Sequence, residues 1–436
     1  MFLQNAISKR INDNNPVKVA LIGAGKFGSM FLSQVPSTLG IEVLVIADLK
    51  PDNAVKACKN VGWSDDLINK TKFVDRGTDA IKLNEVEVVI EATGFPAAGI
   101  DHARQAFQNG KHIIMVNVEA DVLAGAALVK EANSAGVVYS MAYGDQPALT
   151  AEIVEWARAS GFNVTSAGKG TRYQPIYHKS SPDTVWDYYG LTHEEAKKAG
   201  MNPKMFNSFL DGTKSGLEMA AIANACDLDV PTNGLLFPPC GMDDLANVLK
   251  PIKAGGFLEK NGQVEVVSSL ERDGRPVFKD LRWGVFAVLE APNDYAASCF
   301  KQYGMNTDDT GKFSAMYKPF HLIGMELNIS VFSAALLNQA TGQTKKFTGD
   351  VVSTTKTILK KGEILDGEGG ATVWGKLVPS KLSLSMEALA IGLAHGIKLK
   401  NEIEENKIIT WNDVDFLSND PAISYRRKME KDFKKS

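Results

Sequence analysis

Short apolar runs separated by segments of helical period fill the first third of the chain. Val17–Ile22, Ile41–Ala47, Val86–Ile90, Ile113–Val116 and Val137–Tyr139 read as strands, and Phe27–Val35, Ala98–Gln108 and Asp121–Ala135 as helices. Strands that are apolar throughout are buried on both faces. Alternating with helices, they predict an α/β domain with a doubly wound parallel sheet over residues 1–145. After Gly144 the pattern changes. A helix over Gln146–Ser160, a strand over Asn163–Ala167, a Gly/Lys/Arg loop, helical pattern over Lys204–Cys226 and strands within Gln263–Val288 predict a central α+β catalytic and dimerisation domain over 146–345. From Phe347 onward, short strands among many glycines predict a small β-rich module and a C-terminal tail over 346–436.

Composition narrows the class. The chain has 436 residues, 44% hydrophobic and 23% charged, which is ordinary for a globular protein and long enough for about three domains. A net charge of −3 argues against a dedicated nucleic-acid binder. The basic stretch Arg426-Arg427-Lys428 is mixed with Glu430 and Asp432 and reads as a solvated helix end. Cysteines at 58, 226, 240 and 299 form no C-x-x-C pair, so reduced thiols in a cytoplasmic protein are expected. The opening residues carry charges and form no secretory apolar stretch, and no uncharged apolar run reaches about 18 residues, so no membrane span is expected.

The strongest local signal is Gly23-Ala24-Gly25-Lys26-Phe27-Gly28, between a strand and a helix. Gly23 permits the tight turn, Gly25 the approach of a pyrophosphate, and Gly28 close packing of helix on strand. Asp48 ends the next strand, where an acidic residue hydrogen-bonds the adenosine ribose. Asp48 favours NAD, while Lys26 and Lys50 could answer the extra phosphate of NADP. A third strand leads into Glu91-Ala92-Thr93-Gly94-Phe95-Pro96, whose Thr93 and Gly94 are placed for the nicotinamide ribose. The domain is thus of Rossmann type.

This fingerprint, the 91–96 turn and Gly110-Lys111-His112 with Val116-Asn117 resemble the nucleotide domain of homoserine dehydrogenases. That family has an Asn-Lys pair after the strand. Here Asn117-Val118-Glu119 stands instead, which argues against homoserine chemistry. Gly144-Asp145-Gln146-Pro147-Ala148-Leu149, Gly168-Lys169-Gly170-Thr171-Arg172-Tyr173, Phe209-Leu210-Asp211-Gly212-Thr213-Lys214 and Tyr317-Lys318-Pro319-Phe320-His321-Leu322 resemble a narrower group, and Lys361–Val378 resembles a SAF-type β-clip module. Together they resemble the 1-deoxy-D-xylulose 5-phosphate reductoisomerase-like (second type) family. The resemblance implies NADPH-dependent conversion of 1-deoxy-D-xylulose 5-phosphate to 2-C-methyl-D-erythritol 4-phosphate, an early step of isoprenoid-precursor synthesis. It also implies a homodimer and a divalent metal, Mg or Mn.

Such chemistry needs a phosphate grip, a group that chelates or polarises vicinal oxygens, and a positioned hydride donor. Lys169, Arg172 and Tyr173, on an expected flexible loop, are candidates for substrate contact, with Lys169 also a catalytic candidate. Asp211, Lys214 and Glu218, three and four residues apart, would line one helix face. Lys214 would polarise a substrate oxygen, and Asp211 or Glu218 would bind metal or accept a proton. Lys318 could bind phosphate and His321 shuttle protons, with His321 ranked below Lys318 because a histidine between Phe320 and Leu322 suits a core. Glu119 and Asp145 could serve as acid, base, metal ligand or loop cap. The cofactor set is Gly23, Gly25, Lys26, Phe27, Gly28, Asp48, Thr93, Gly94 and Asn117. NADPH is expected, with NADH the alternative. The competing readings are an NAD(P)-dependent dehydrogenase of another hydroxy acid or sugar, and a nucleotide sensor without turnover.

Overall fold

The computed structural model describes residues 3–416 and 419–434, so four residues of the expected 346–436 segment lie outside the described residues. The chain forms two compact units. One holds residues 3–152 with His321–Lys345, the other Ile153–Phe320 with 346–434.

The first unit is built on six parallel strands: β1 (Val17–Ile22), β2 (Ile41–Ala47), β3 (Lys72–Val74), β4 (Val88–Glu91), β5 (His112–Met115) and β6 (Tyr139–Met141). Their order is β3-β2-β1-β4-β5-β6, so the chain reverses direction across the sheet between β1 and β4. In such sheets a ligand lies beyond the carboxyl ends of the strands at that reversal. β3 escapes the pattern reading because it is three residues long and begins on an exposed lysine. One side of the sheet is covered by a segment from far down the chain. Leu327, Val331, Phe332 and Ala334, around the helix Asn328–Leu337, share a buried core with Val17, Val19 and Leu21 of β1.

The second unit contains a mixed sheet of β7 (Asn163–Thr171), β8 (Gln263–Ser268), β9 (Val285–Glu290) and β10 (Phe313–Lys318), in the order β10-β9-β7-β8. The expected flexible loop at Gly168 is instead the continuation of β7. Its glycines explain this: a Cβ at Gly168 would lie 1.8 Å from the Glu265 carbonyl oxygen, and one at Gly170 1.9 Å from that of Leu281. They are strand glycines that admit close backbone neighbours.

The helical stretch at 204–226 is two helices, Pro203–Leu210 and Thr213–Cys226, broken at Gly212 with φ +91°. The second packs against an antiparallel pair, β11 (Gly349–Thr355) and β12 (Val373–Pro379). Thr213 Oγ1 accepts from Gly375 N at 2.8 Å, and Asn224 Nδ2 donates to Gly349 O at 3.1 Å. A last pair, β13 (Lys398–Leu399) with β14 (Val414–Asp415), precedes the C-terminal helix Pro421–Lys434. That helix end is solvated at Lys428, Lys431 and Asp432, as expected, but not at Arg426. Arg426 is fully buried and paired with Asp350 at 2.5 Å and Glu430 at 2.9 Å. Two carboxylates around one guanidinium offset its desolvation.

Cys58, Cys226, Cys240 and Cys299 are free thiols. Among the described residues no helix is long and apolar enough to cross a membrane.

Candidate functional site

In the first unit the glycine turn sits at the carboxyl end of β1. Gly23 has φ +96°, and a Cβ there would lie 2.7 Å from Ala92 O. A Cβ on Gly28 would lie 2.4 Å from Gly23 O. Packing therefore requires both glycines. Gly25 differs, since nothing lies within 4 Å of its Cβ position. It heads the helix Lys26–Gln34 without a side-chain cap. Free N–H groups at an open helix N-terminus are what a pyrophosphate binds. Phe27 is half-buried, and Lys26 is exposed.

Asp48 follows β2. Its Oδ2 accepts from Ala24 N at 3.1 Å and its Oδ1 from Lys50 N at 3.0 Å. The carboxylate thus ties the glycine turn to the next loop, and Lys50 stands exposed. Glu91 ends β4 fully buried. Its Oε1 accepts from Thr93 Oγ1 at 2.5 Å and meets His102 Nδ1 at 3.3 Å, while its Oε2 is buried without a partner. Thr93 and Gly94 are exposed at the same carboxyl edge.

Asn117, expected at the cofactor, caps the helix Val118–Ala135. It is 1% exposed, its Oδ1 caps Ala120 N at 3.0 Å, and its Nδ2 donates to Phe95 O at 3.0 Å. It braces the 93–96 turn at the carboxyl edge of the sheet. Asp145 is likewise a cap, accepting from Gln146 N at 2.9 Å ahead of the helix Gln146–Ala159. Glu119 is buried in the first turn of the helix Val118–Ala135. His321 is half-buried in the first unit.

In the second unit the expected helix stripe is only partly assembled. Lys214, half-buried, and Glu218, buried, lie on one helix four residues apart. Asp211 does not join them, because it precedes the Gly212 break. Fully buried, it accepts from Thr213 N at 2.9 Å and pairs with Lys356 Nζ at 2.7 Å. Lys356 Nζ also donates to Ser180 O and Gly370 O, each at 2.7 Å. That ammonium joins three chain segments, a structural role for the lysine of Ser353-Thr354-Thr355-Lys356. Glu218 in turn pairs with Lys169 of β7, both buried. The two carboxylates expected to hold a metal are thus each neutralised by a lysine, on separate segments. Among the described residues no group of three or more His, Cys, Asp or Glu is arranged for a metal ion. The residues present do not fit the divalent metal.

Arg172 directly follows β7, half-buried, with its Nε buried and unpartnered. The turn carrying Arg282 packs on the same strand end, where Gly170 N donates to Gly284 O at 3.1 Å. Burial pushes the Tyr189 phenol up, and Arg282 and Arg172 both pull it back. Neither arginine has a carboxylate partner among the described residues. No sequence spacing links Arg282 to Arg172. Lys318 ends β10, half-buried, with its Nζ 5.3 Å from the Phe320 ring centroid.

Tyr173 turns inward. It is 7% exposed and stacks on Phe237 at 3.9 Å. Its hydroxyl lies 3.0 Å from His178 Nε2, and His178 Nδ1 lies 2.7 Å from Asp211 O. The carbonyl can only accept, so Nδ1 carries the proton and Nε2 accepts from the tyrosine. Burial lowers the His178 pKa and keeps the ring neutral. His178 itself follows no motif, and only this carbonyl contact reveals it.

Two family models match the chain: the NAD binding domain of homoserine dehydrogenase over residues 23–142, and the catalytic domain of oxidoreductase DRL over residues 144–327. No curated protein matches the sequence. Among solved structures, a homoserine dehydrogenase from Thiobacillus denitrificans is 14% identical over 78% of this chain and 83% of its own, with a TM-score of 0.44. Biliverdin reductase from Synechocystis, in complex with biliverdin and NADP+, is 17% identical over 37% of this chain and 48% of its own, with a TM-score of 0.27. An oxidoreductase domain protein from Kribbella flavida is 17% identical over 38% and 46%, with a TM-score of 0.30. The chain spans about half the length of the last two. An NAD-binding domain is thus followed in sequence by an oxidoreductase catalytic domain.

Proposed function

We propose that the protein uses NADPH to reduce the carbonyl group of a small phosphorylated hydroxy-ketone. The observation that carries this reading is Arg172, which has no carboxylate partner among the described residues and whose Nε is buried without an acceptor, with Arg282 on the turn packed at the same strand end. A guanidinium grips phosphate through a planar fork. The buried Arg172 Nε costs free energy until a ligand supplies an acceptor. Lys26 and Lys50, both exposed near the Asp48 contacts, support NADPH over NADH.

When bound, the cofactor supplies the hydride. A carbonyl oxygen that gains negative charge then needs a proton, and an ammonium group can give one. Lys169 is the candidate donor, held in a fixed orientation by Glu218, with Lys214 one helical turn from that carboxylate. The family resemblance names 1-deoxy-D-xylulose 5-phosphate as the substrate. Its conversion to 2-C-methyl-D-erythritol 4-phosphate includes a rearrangement as well as a reduction. The reading here covers the reduction, and no step runs through a metal.

A panel of ketose phosphates, 1-deoxy-D-xylulose 5-phosphate included, tests this when each is paired with its dephosphorylated counterpart and cofactor absorbance is followed. At least one phosphorylated member should turn over, with kcat/KM falling about a hundredfold once the phosphate is removed. Equal rates within every pair would remove the phosphate from the reading.

A further inference from the structure

The second unit encloses a cavity of about 220 Å³, whose walls include His178, Leu235, Phe237, Trp374, Lys376 and Leu377. None of the residues assigned above to cofactor, phosphate or proton transfer lines it. At about 30 Å³ per water, the space equals roughly seven waters, the size of a single-ring molecule.

Its chemistry is one-sided. No Asp or Glu lines it. The Trp374 indole N–H is buried without an acceptor. The Lys376 ammonium has no acceptor among the described residues. His178 has both ring nitrogens engaged and stacks on Trp374 at 4.0 Å, so it contributes a flat wall and no open acceptor. The opposite wall is fixed in advance. Glu265, fully buried, accepts from Leu236 N at 3.1 Å and Phe237 N at 3.3 Å. Arg272 Nη2 donates to the carbonyls of Leu236 and Phe237 at 3.0 and 2.9 Å. Phe237 is held at φ +51°, a conformation that a bulky residue keeps only when its surroundings enforce it. One unmatched ammonium, aromatic and aliphatic walls and a braced rim describe a site built for an amphipathic anion.

We propose that this cavity is a second ligand site, taking a small monocarboxylate with a flat apolar body. The carboxylate meets Lys376, and the body packs against Trp374, Phe237 and Leu377.

Calorimetric titration of the full-length protein with benzoate, benzamide and inorganic phosphate tests this. Benzoate should bind saturably at one site, with benzamide, its neutral isostere, at least about tenfold weaker. Lys376→Met should weaken benzoate about tenfold, with NADPH affinity and thermal midpoint unchanged. Arg172→Gln should leave benzoate binding intact, which separates this site from the phosphate grip. Three results would overturn the assignment: no saturable benzoate binding, unweakened binding in Lys376→Met, or displacement of benzoate by phosphate.

Discussion

Lys169 of β7 and Glu218 of the helix Thr213–Cys226 form an ion pair whose side chains are only 7% and 5% exposed. Sheet and helix are therefore joined by opposite charges within the second unit. Removing one partner leaves a buried charge unmatched. Lys169→Met or Glu218→Leu alone should cost about 3–5 kcal/mol of stability, and the double variant should recover most of it. Denaturant midpoints for the four proteins check this. Additive losses would mean the two groups do not sense each other.

The glycine turn makes a second expectation sharp, because two of its glycines are constrained for different reasons. A Cβ on Gly25 meets nothing, whereas one on Gly28 meets Gly23 O at 2.4 Å. Gly25→Val should keep the thermal midpoint and lose cofactor affinity. Gly28→Ala should lower the midpoint itself, by an amount typical of overpacking, about 1–3 kcal/mol. A stable Gly25→Val variant with normal NADPH affinity would place the pyrophosphate elsewhere.

Cofactor choice turns on the loop tied by Asp48. If Lys50 or Lys26 answers the 2′-phosphate, Lys50→Ala or Lys26→Ala should weaken NADPH about tenfold and leave NADH unchanged. Titrating both cofactors against both variants measures this. A higher kcat/KM with NADH in the unaltered protein would give the decision to Asp48.

Two buried carboxyls make stability depend on pH. Burial pushes Glu265 up to about 7 and Asp121 up to about 6, against the hydrogen bonds that each accepts. In the unfolded chain they titrate near 4.5 and 3.8. Through the window between, the folded protein holds protons that the unfolded chain has released. The stability this confers is fully present below the unfolded values and is lost as pH rises through about 6 to 7. Thermal midpoints measured from pH 4.5 to 8 should therefore carry a downward contribution from these groups. Glu265→Gln, which cannot ionise, should flatten it, and adding Asp121→Asn should flatten it further. An unchanged pH profile in Glu265→Gln would show that the carboxylate is ionised throughout.

Much of the first unit was legible because its strands are apolar throughout and its turn glycines fall at fixed offsets. β1 and β2 fall where the apolar runs end, and β4, β5 and β6 begin within two residues of the expected starts. The second unit resisted for three physical reasons. Gly168 and Gly170 look like a loop but are strand positions where another backbone approaches. Gly212 breaks a run whose spacing suggested one continuous face, so Asp211 ends up on Lys356, 145 residues along the chain. The helix Asn328–Leu337 returns to the first unit's core, and no local pattern announces a partner so distant. Arg282 and His178 gain their settings from tertiary contacts alone.

Arg172 is the residue on which the phosphate grip depends most directly. The measurement is kcat/KM of Arg172→Gln and of the unaltered protein, on one phosphorylated ketose and on its dephosphorylated counterpart, with NADPH affinity as the check on folding. Loss of a charge-assisted contact should lower kcat/KM for the phosphorylated compound by about ten- to a hundredfold and leave the dephosphorylated one nearly unchanged. An equal fall on both compounds, or no fall on either, would contradict the phosphate grip.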